Sequence, residues 1–261
     1  MTSLPSIFVS HGAPTLPIEE SPARRFLSSL PELLPERPAA ILAVSAHWET
    51  DRPTVGSAAA PATIHDFFGF PEPLYRMRYP APGAPDLAAR AAGLLGEAGL
   101  PVLADDRRGL DHGAWVPLSL AWPAADIPVA PLSVQPRRGP RHHLALGEAL
   151  RPLRGEGVLI LASGSLTHDL SGFRADRDRP DAAEPEWVAD FAAWIDAALT
   201  SGETDRLAGY RAAAPFAVRN HPTEEHLLPL FVAAGAGTGG ARRLHRSVSH
   251  GALRMDAYAF D

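Results

Sequence analysis

Short apolar runs alternate with segments of helical spacing along most of the chain. The opening is β-α-β: residues 6–10 and 39–46 are aliphatic runs bounded by proline or glycine, and residues 21–34 between them follow a Ser-Pro helix start. Further strands are predicted at 102–104, 129–134 and 158–162, and further helices at 84–98, 114–121, 142–150, 185–199 and 223–234. This alternation predicts a single α/β domain over residues 1–261, with a central, mostly parallel or mixed sheet flanked by helices.

Three histidines stand at the ends of apolar runs. His11 closes SIFVSHG, His47 closes ILAVSAHW and His168 closes LILASGSLTH, while His221 opens the helix-like segment HPTEEHLLPLF. Ligands in open α/β sheets bind outside the carboxyl ends of the strands, so these imidazoles are expected at one rim of the sheet. Dispersed histidines that meet at one rim indicate a metal site with open coordination positions rather than a closed structural site.

The amino-acid composition limits the possible metal ligands, catalytic groups and partners. The chain has 261 residues, 46% of them hydrophobic, which is enough for one large core. It has no cysteine, so disulfides, thiolate catalysis and cysteine-ligated metals are excluded, and any metal must be held by nitrogen and oxygen. The net charge is −6, and the basic residues fall singly or in pairs, which argues against nucleic acid or an anionic membrane as a partner.

Other sequence signals concern location, phosphate-binding motifs and assembly. The amino terminus lacks a signal-peptide pattern and no stretch approaches the ~20 apolar residues that span a bilayer, so a cytoplasmic location is expected. The glycine patterns that bind phosphates are incomplete, and GAGTGG near Gly235 follows a predicted helix and fits a turn. No heptad pattern indicates an oligomeric state.

Two further segments contain histidines for which the sequence context predicts a position. Residues 61–83 are rich in aromatics and prolines without a clear period and are expected to form a long ordered loop near the site, with His65 and Tyr75 as candidates for the pocket wall. By contrast, His142 and His143 begin a predicted surface helix and are expected to be solvated.

Six segments occur in an order that resembles a known family. They are SHGAPTL with His11, SAHW with His47, LDHGAWVPL with His112, SGSLTHDL with His168, HPTEEHLLPLFVAAGA with His221, and HGALRMDAYAF with His250. Together they resemble the class III extradiol ring-cleavage dioxygenases, in particular the 4,5-DOPA extradiol dioxygenase branch. The resemblance covers the chain from His11 to Phe260.

The resemblance implies a non-haem Fe(II) site formed by His11, His47 and His221, with His168 as the acid-base residue. Zn(II) is possible at the same site, and His168 is then a possible fourth ligand. The substrates implied are a catechol and O2, with O2 inserted next to the diol to give a product of the muconic semialdehyde type. His112 is expected to hydrogen-bond to a substrate oxygen, although an Asp-His-Gly turn before an apolar helix is equally typical of a helix cap. The resemblance also places His250 near the pocket.

Several alternatives stay open at this point. Glu224 or Glu225 is a possible carboxylate ligand, and His226 is either a partner of His221 or a helix-packing residue. Three histidines around a metal also suit a zinc hydrolase, although the HExxH helix of the common zinc proteases is absent. A non-enzymatic metal-binding relative of the same fold is the third alternative.

Overall fold

The sheet at the centre of the molecule has eight strands. A computed structural model describes residues 3–176 and 178–261. Its strands are β1 (Ser6–Ser10), β2 (Ala40–Glu49), β3 (Thr54–Gly56), β4 (Leu103–Asp105), β5 (Val129–Val134), β6 (Val158–Gly164), β7 (Arg242–His245), β8 (Val248–Ser249), β9 (Leu253–Arg254) and β10 (Ala257–Phe260). The large sheet has the order β4-β3-β5-β2-β6-β1-β10-β7, and β8 pairs with β9 separately.

The middle of the sheet is parallel and its margins are mixed. Strands β5, β2, β6 and β1 run parallel as neighbours, so their carboxyl ends lie along one edge. On one side β10 and β7 are antiparallel additions, and on the other β3 meets β5 antiparallel. The prediction of a mixed α/β sheet is confirmed.

Helices cover both faces of the sheet. They are α1 (Pro22–Ser29), α2 (Glu72–Arg76), α3 (Pro85–Glu97), α4 (His112–Ala121), α5 (Gly139–Leu150), α6 (Leu170–Ala175), α7 (Glu186–Thr200), α8 (Thr204–Ala208), α9 (Tyr210–Ala213), α10 (Ala217–Asn220) and α11 (Leu228–Ala236), with 3-10 turns at Leu30–Leu33, Pro136–Arg138 and Arg151–Glu156. Strand β2 shows how the two cores form, because Ile41 and Ala43 face the core under α1 and α4, whereas Leu42 and Val44 face the core under α3, α5 and α11. A strand buried on both faces explains the continuous apolar run in the sequence.

Two predicted boundaries differ from the structure in ways that affect the site. Strand β2 continues through His47 to Glu49, so His47 lies within the strand rather than after it. The helix predicted at 223–234 begins only at Leu228, with turns from Pro222 to Leu227. Pro229 explains the late start, because proline is tolerated in the first helical turn but removes a hydrogen bond and clashes in a helix interior.

His143 is also placed differently from the prediction. It is fully buried rather than solvated. Its Nε2 accepts the backbone N–H of Gln135 at 3.0 Å, and its Nδ1 lies 2.7 Å from the Gly139 carbonyl oxygen. The imidazole therefore joins the end of β5 to the start of α5.

Among the described residues, no helix combines the length and the apolar character needed to cross a bilayer.

Candidate active site

Three imidazoles meet at the carboxyl edge of the parallel strands. The Nε2 atoms of His11 and His47 are 3.1 Å apart, and those of His47 and His226 are 3.2 Å apart. His11 and His226 are buried, and the side chain of His47 is 21% exposed. The three histidines form a group whose possible ligand atoms all lie within 4.8 Å of one another.

Local backbone structure explains why these side chains converge. His11 directly follows β1, and its N–H donates to the Gly164 carbonyl at the end of β6. His226 lies in the turn before α11, where its carbonyl accepts the N–H of Ser165 at 2.8 Å. A Cβ on Gly164 would lie 2.1 Å from the His226 carbonyl oxygen, so glycine is required for this close approach.

Each of the three rings has an oxygen near its second nitrogen. The Nδ1 of His11 lies 3.0 Å from Ser163 Oγ, whose own hydroxyl donates to the Gly113 carbonyl. Because that hydroxyl hydrogen is already used, His11 must donate from Nδ1. The Nδ1 of His226 lies 2.9 Å from a Glu225 carboxylate oxygen, and the Nδ1 of His47 lies 3.3 Å from Asp66. These partners favour a proton on Nδ1 and a free lone pair on Nε2 in all three rings.

The surroundings keep these rings neutral. Burial lowers the pKa of His11 and of His226 well below the usual value, and the neighbouring histidines lower both further. Burial and nearby His112 lower the pKa of His47 to about 3, even though Asp66 acts in the opposite direction. Neutral imidazole is the form that binds metal ions, so the group is ready to bind at neutral pH.

The spacing of the Nε2 atoms fits a shared ion. Imidazole nitrogens bind zinc-like ions at about 2.0–2.1 Å, so two nitrogens on one tetrahedral ion are about 3.3 Å apart. The observed separations of 3.1 and 3.2 Å are close to this value. Three neutral nitrogen donors with oriented rings therefore suit a divalent transition metal.

The structure does not bring His221, the predicted third ligand, into this group. His221 is buried, its Nε2 donates to the Leu166 carbonyl at 2.9 Å, and its Nδ1 has no hydrogen-bond partner among the described residues. It belongs to none of the candidate metal-binding groups, and His226 occupies the expected place. The physical reason is the irregular segment from Pro222 to Leu227, which turns His226 rather than His221 toward the sheet edge.

His112 lies beside these three histidines. Its ring centroid is 3.9 Å from that of His47, and it opens α4 directly after the N-cap residue Asp111. Asp111 accepts from Ser45 Oγ at 2.5 Å and from the Ala114 N–H at 3.2 Å, and it forms an ion pair with Arg108. The cap therefore fixes the start of α4 against β2.

Asp66 joins His112 to His47. One carboxylate oxygen accepts the backbone N–H of His112 at 2.9 Å, and the other lies 2.9 Å from His112 Nδ1 and 3.3 Å from His47 Nδ1. Burial raises the pKa of Asp66, but the hydrogen bonds to His112 and the electrostatic interactions with His112 and His47 outweigh it and lower the pKa to about 2. The group is thus an ionised carboxylate at neutral pH.

The ring of His168 packs against the ring of His226. The two rings stack with centroids 3.4 Å apart and an interplanar angle of 12°. The backbone N–H of His168 donates to the Asn220 carbonyl, and His221 binds the same loop at Leu166, so the segment before the turn holds His168 in place. Burial, and next the nearby His112, lower the pKa of His168 to about 4, so its ring is neutral at neutral pH.

A cavity of about 360 Å³ opens onto these histidines. His11, His47, His112, His168 and His226 all line it. Its apolar walls come from four parts of the chain and comprise Pro14, Phe67, Phe70, Leu170, Phe173 and Leu253. An aromatic ring placed among them would be shielded from water next to the convergent nitrogens.

Three predicted pocket residues lie outside this cavity. His65 and Tyr75 pack behind the wall residue Phe67, with ring centroids 5.7 and 5.2 Å from it. His250 lines a neighbouring cavity of about 520 Å³ that shares Gly12 and Ala13 with the first. The 61–83 loop contributes Phe67 and Phe70 to the cavity lining instead of His65 and Tyr75.

Sequence reasoning missed Asp66, Phe67 and Phe70 as residues of the site. They lie in the 61–83 loop, which has no periodicity from which side-chain direction can be read. For His226, the Leu-Leu-Pro that follows it was an available signal, because Pro229 marks where α11 can begin.

The fold and the site together define a histidine-lined, metal-binding class of α/β enzyme, with the candidate centre at the carboxyl edge of a parallel sheet. A model of the catalytic LigB subunit of aromatic ring-opening dioxygenase matches residues 4–260. The chain therefore belongs to this family, and the match supports extradiol ring cleavage as its activity.

Individual relatives agree with the family assignment. The chain is 45% identical to the 4,5-DOPA dioxygenase extradiol of Beta vulgaris, covering 98% of this chain and 96% of the relative. It is 39% identical to the 4,5-DOPA dioxygenase extradiol of Escherichia coli (strain K12), covering 91% and 87% of the two chains. The crystal structure of uncharacterized protein JW3007 from Escherichia coli K12 superposes with a TM-score of 0.82 at 32% identity, covering 99% of this chain and 100% of that one.

Proposed function

We propose that this protein opens the ring of a catechol next to its diol, with Fe(II) held by His11, His47 and His226. The observation that carries the proposal is the convergence of three Nε2 atoms, 3.1 and 3.2 Å apart, on the wall of an apolar cavity. Family membership supports the reaction class, and the geometry supports the choice of residues.

The donor set supports a non-haem metal without selecting it. Neutral imidazoles bind both Fe(II) and Zn(II), so we propose Fe(II) for activity because the family reaction uses O2, with Zn(II) as an alternative occupant. With Zn(II), His168 is a possible fourth ligand, since it forms a second candidate group with Glu225 and His226. When bound, the metal would acidify the catechol hydroxyls and hold catechol and O2 in reacting geometry.

The other side chains have separate roles in this proposal. His168 takes a proton from a substrate hydroxyl and later returns it, because its ring lines the cavity and is neutral at neutral pH. His112 accepts a hydrogen bond from the substrate at Nε2, because its Nδ1 donates to Asp66. Phe67, Phe70 and Phe173 hold the aromatic ring and exclude water.

The substrate is proposed to be a catechol such as DOPA, the compound in the 4,5-DOPA dioxygenase extradiol names of the curated relatives. A small catechol and O2 suit a cavity of about 360 Å³. A cytoplasmic location and the absence of nucleic-acid or membrane partners stay predictions from the sequence.

Anaerobic reconstitution tests the proposal. Apoprotein loaded with Fe(II), then given DOPA or a simple catechol with O2, is expected to form a yellow ring-opened product. A Zn(II)-loaded sample given an ester panel is the matched control for the hydrolase alternative. No colour with any catechol, together with ester hydrolysis by the zinc form, would overturn the proposal. Metal binding without either reaction would favour a non-enzymatic role.

A further inference from the structure

Asp66 contacts two histidines that have different roles in the proposed function. One carboxylate oxygen, Oδ2, lies 2.9 Å from Nδ1 of His112 and 3.3 Å from Nδ1 of His47. The other, Oδ1, accepts the backbone N–H of His112 at 2.9 Å, which fixes the carboxylate in the plane it needs for these contacts. The side chain is 22% exposed, so it is partly shielded from solvent where it contacts the two rings.

The carboxylate forms a hydrogen bond with His112 Nδ1 and lies within ion-pair distance of His47 Nδ1, and its chemistry favours one tautomer in both rings. An ionised carboxylate has only acceptors, so a ring nitrogen beside it must carry a hydrogen. A neutral imidazole has one N–H, and a proton held on Nδ1 leaves Nε2 as a lone pair. In His47 that lone pair is the proposed metal ligand, and in His112 it is the proposed acceptor for the substrate hydroxyl.

We propose that Asp66 is a positioning residue that sets the tautomers of His47 and His112 together, so that one carboxylate prepares both metal binding and substrate binding. His11 and His226 have separate partners in Ser163 and Glu225, so the coupling is specific to Asp66. The inference rests on the proposed function for the roles of the two histidines, whereas the tautomers themselves can be measured without turnover.

Asp66→Asn is the most informative variant because it keeps the shape and changes the pattern of donors. If the amide oxygen takes the place of Oδ1, it still accepts the His112 backbone N–H, and the NH2 group then faces both Nδ1 atoms. A donor at that position requires His112 to accept at Nδ1, which moves its proton to Nε2. The reverse orientation places NH2 against the His112 backbone N–H, where two donors meet.

The decisive measurement is the tautomer of His112. In long-range ¹H–¹⁵N spectra of the Zn(II)-loaded protein, with the His112 signals assigned by their loss in His112→Ala, the wild type is expected to show Nδ1–H and Asp66→Asn to show Nε2–H. Apoprotein titration should also show an affinity for Zn(II) lower by about 10- to 100-fold, as for other lost partners of ligand histidines. Asp106→Asn is the matched control, because it removes the same charge from a side chain that is 86% exposed.

Catalytic turnover provides a second test of the role of Asp66. At saturating Fe(II), Asp66→Asn is expected to lower kcat by about tenfold or more, and to lower it no further in a His112→Ala background. The proposal would be overturned if Asp66→Asn leaves the His112 tautomer unchanged and binds the metal as tightly as Asp106→Asn does. It would also be overturned if Asp66→Asn lowers kcat equally in the His112→Ala background. If the wild type opens no catechol, the proposed function fails, while the tautomer and the zinc affinity still decide the role of Asp66.

Discussion

The exchange of His221 for His226 as the third ligand can be tested with a pair of variants. Truncating His226 to alanine removes one of three converging nitrogens. Structural zinc sites with four ligands bind with about 10–16 kcal/mol, so one ligand contributes about 3 kcal/mol, and the dissociation constant should rise by about 100-fold or more. The fold should survive, because the His226 carbonyl, which anchors the turn to Ser165, is retained.

His221→Ala should have the opposite effect. The variant loses the hydrogen bond to Leu166 and leaves a cavity at a fully buried position, which together should lower the free energy of unfolding by about 2–4 kcal/mol. The zinc affinity of His221→Ala should stay within about threefold of the wild type, because the His221 ring is not part of the group of convergent nitrogens.

Zinc competition titrations of the apoproteins and urea unfolding separate the two effects. His221→Gln is the control for misfolding, because an amide can still donate to the Leu166 carbonyl. Loss of zinc binding in a folded His221 variant, with normal binding in His226→Ala, would refute the assignment.

Three further predictions concern other parts of the molecule. Replacing His168 with alanine should leave metal content unchanged and abolish ring opening, as measured by metal analysis and product colour; full activity would remove its acid-base role. Gly164→Ala should weaken metal binding, because its Cβ would meet the His226 carbonyl at 2.1 Å, whereas Gly93→Ala, where nothing lies within 4 Å, should bind normally and gain up to about 1 kcal/mol of stability. Burial lowers the pKa of His143 to about 3, so between pH 6.5 and 3 the unfolded chain binds a proton that the folded one does not. The contribution of neutral His143 to the free energy of unfolding is therefore complete above about pH 6.5 and is lost as the pH falls. Between that range and pH 5, urea unfolding should show a free-energy loss about 2 kcal/mol larger in the wild-type apoprotein than in His143→Gln. Equal losses in the two proteins would contradict the assignment.

The sequence predicted the features that follow from periodicity. The buried strands of the parallel centre are aliphatic runs, so their positions and the rim occupied by His11 and His47 were predictable. The direction of side chains in turns was not predictable, because the segment that contains His226 has no periodic pattern. A single proline, Pro229, decides that the helix starts late enough to free this residue.

Long-range contacts set the other limit. Asp66 is important because it meets a residue 46 positions later, and sequence spacing does not encode that contact. His143 shows the same limit for burial: its position at a helix start suggested a surface residue, but packing against the end of β5 places both ring nitrogens in hydrogen bonds.

The wide separation of the three histidines has a consequence for how an ion is gained and released. His11 and His47 are 36 residues apart, and His47 and His226 are 179 apart, so the centre is complete only after most of the chain has been synthesised and the sheet has closed. An ion held by all three proposed ligands therefore stabilises only the folded structure, by mass action. Two of the proposed ligands are anchored at the sheet, whereas the third lies on a turn that a backbone hydrogen bond and a glycine contact hold in place. We expect local opening of that turn to release the ion, so that one short segment, and not global unfolding, sets the lifetime of the loaded protein.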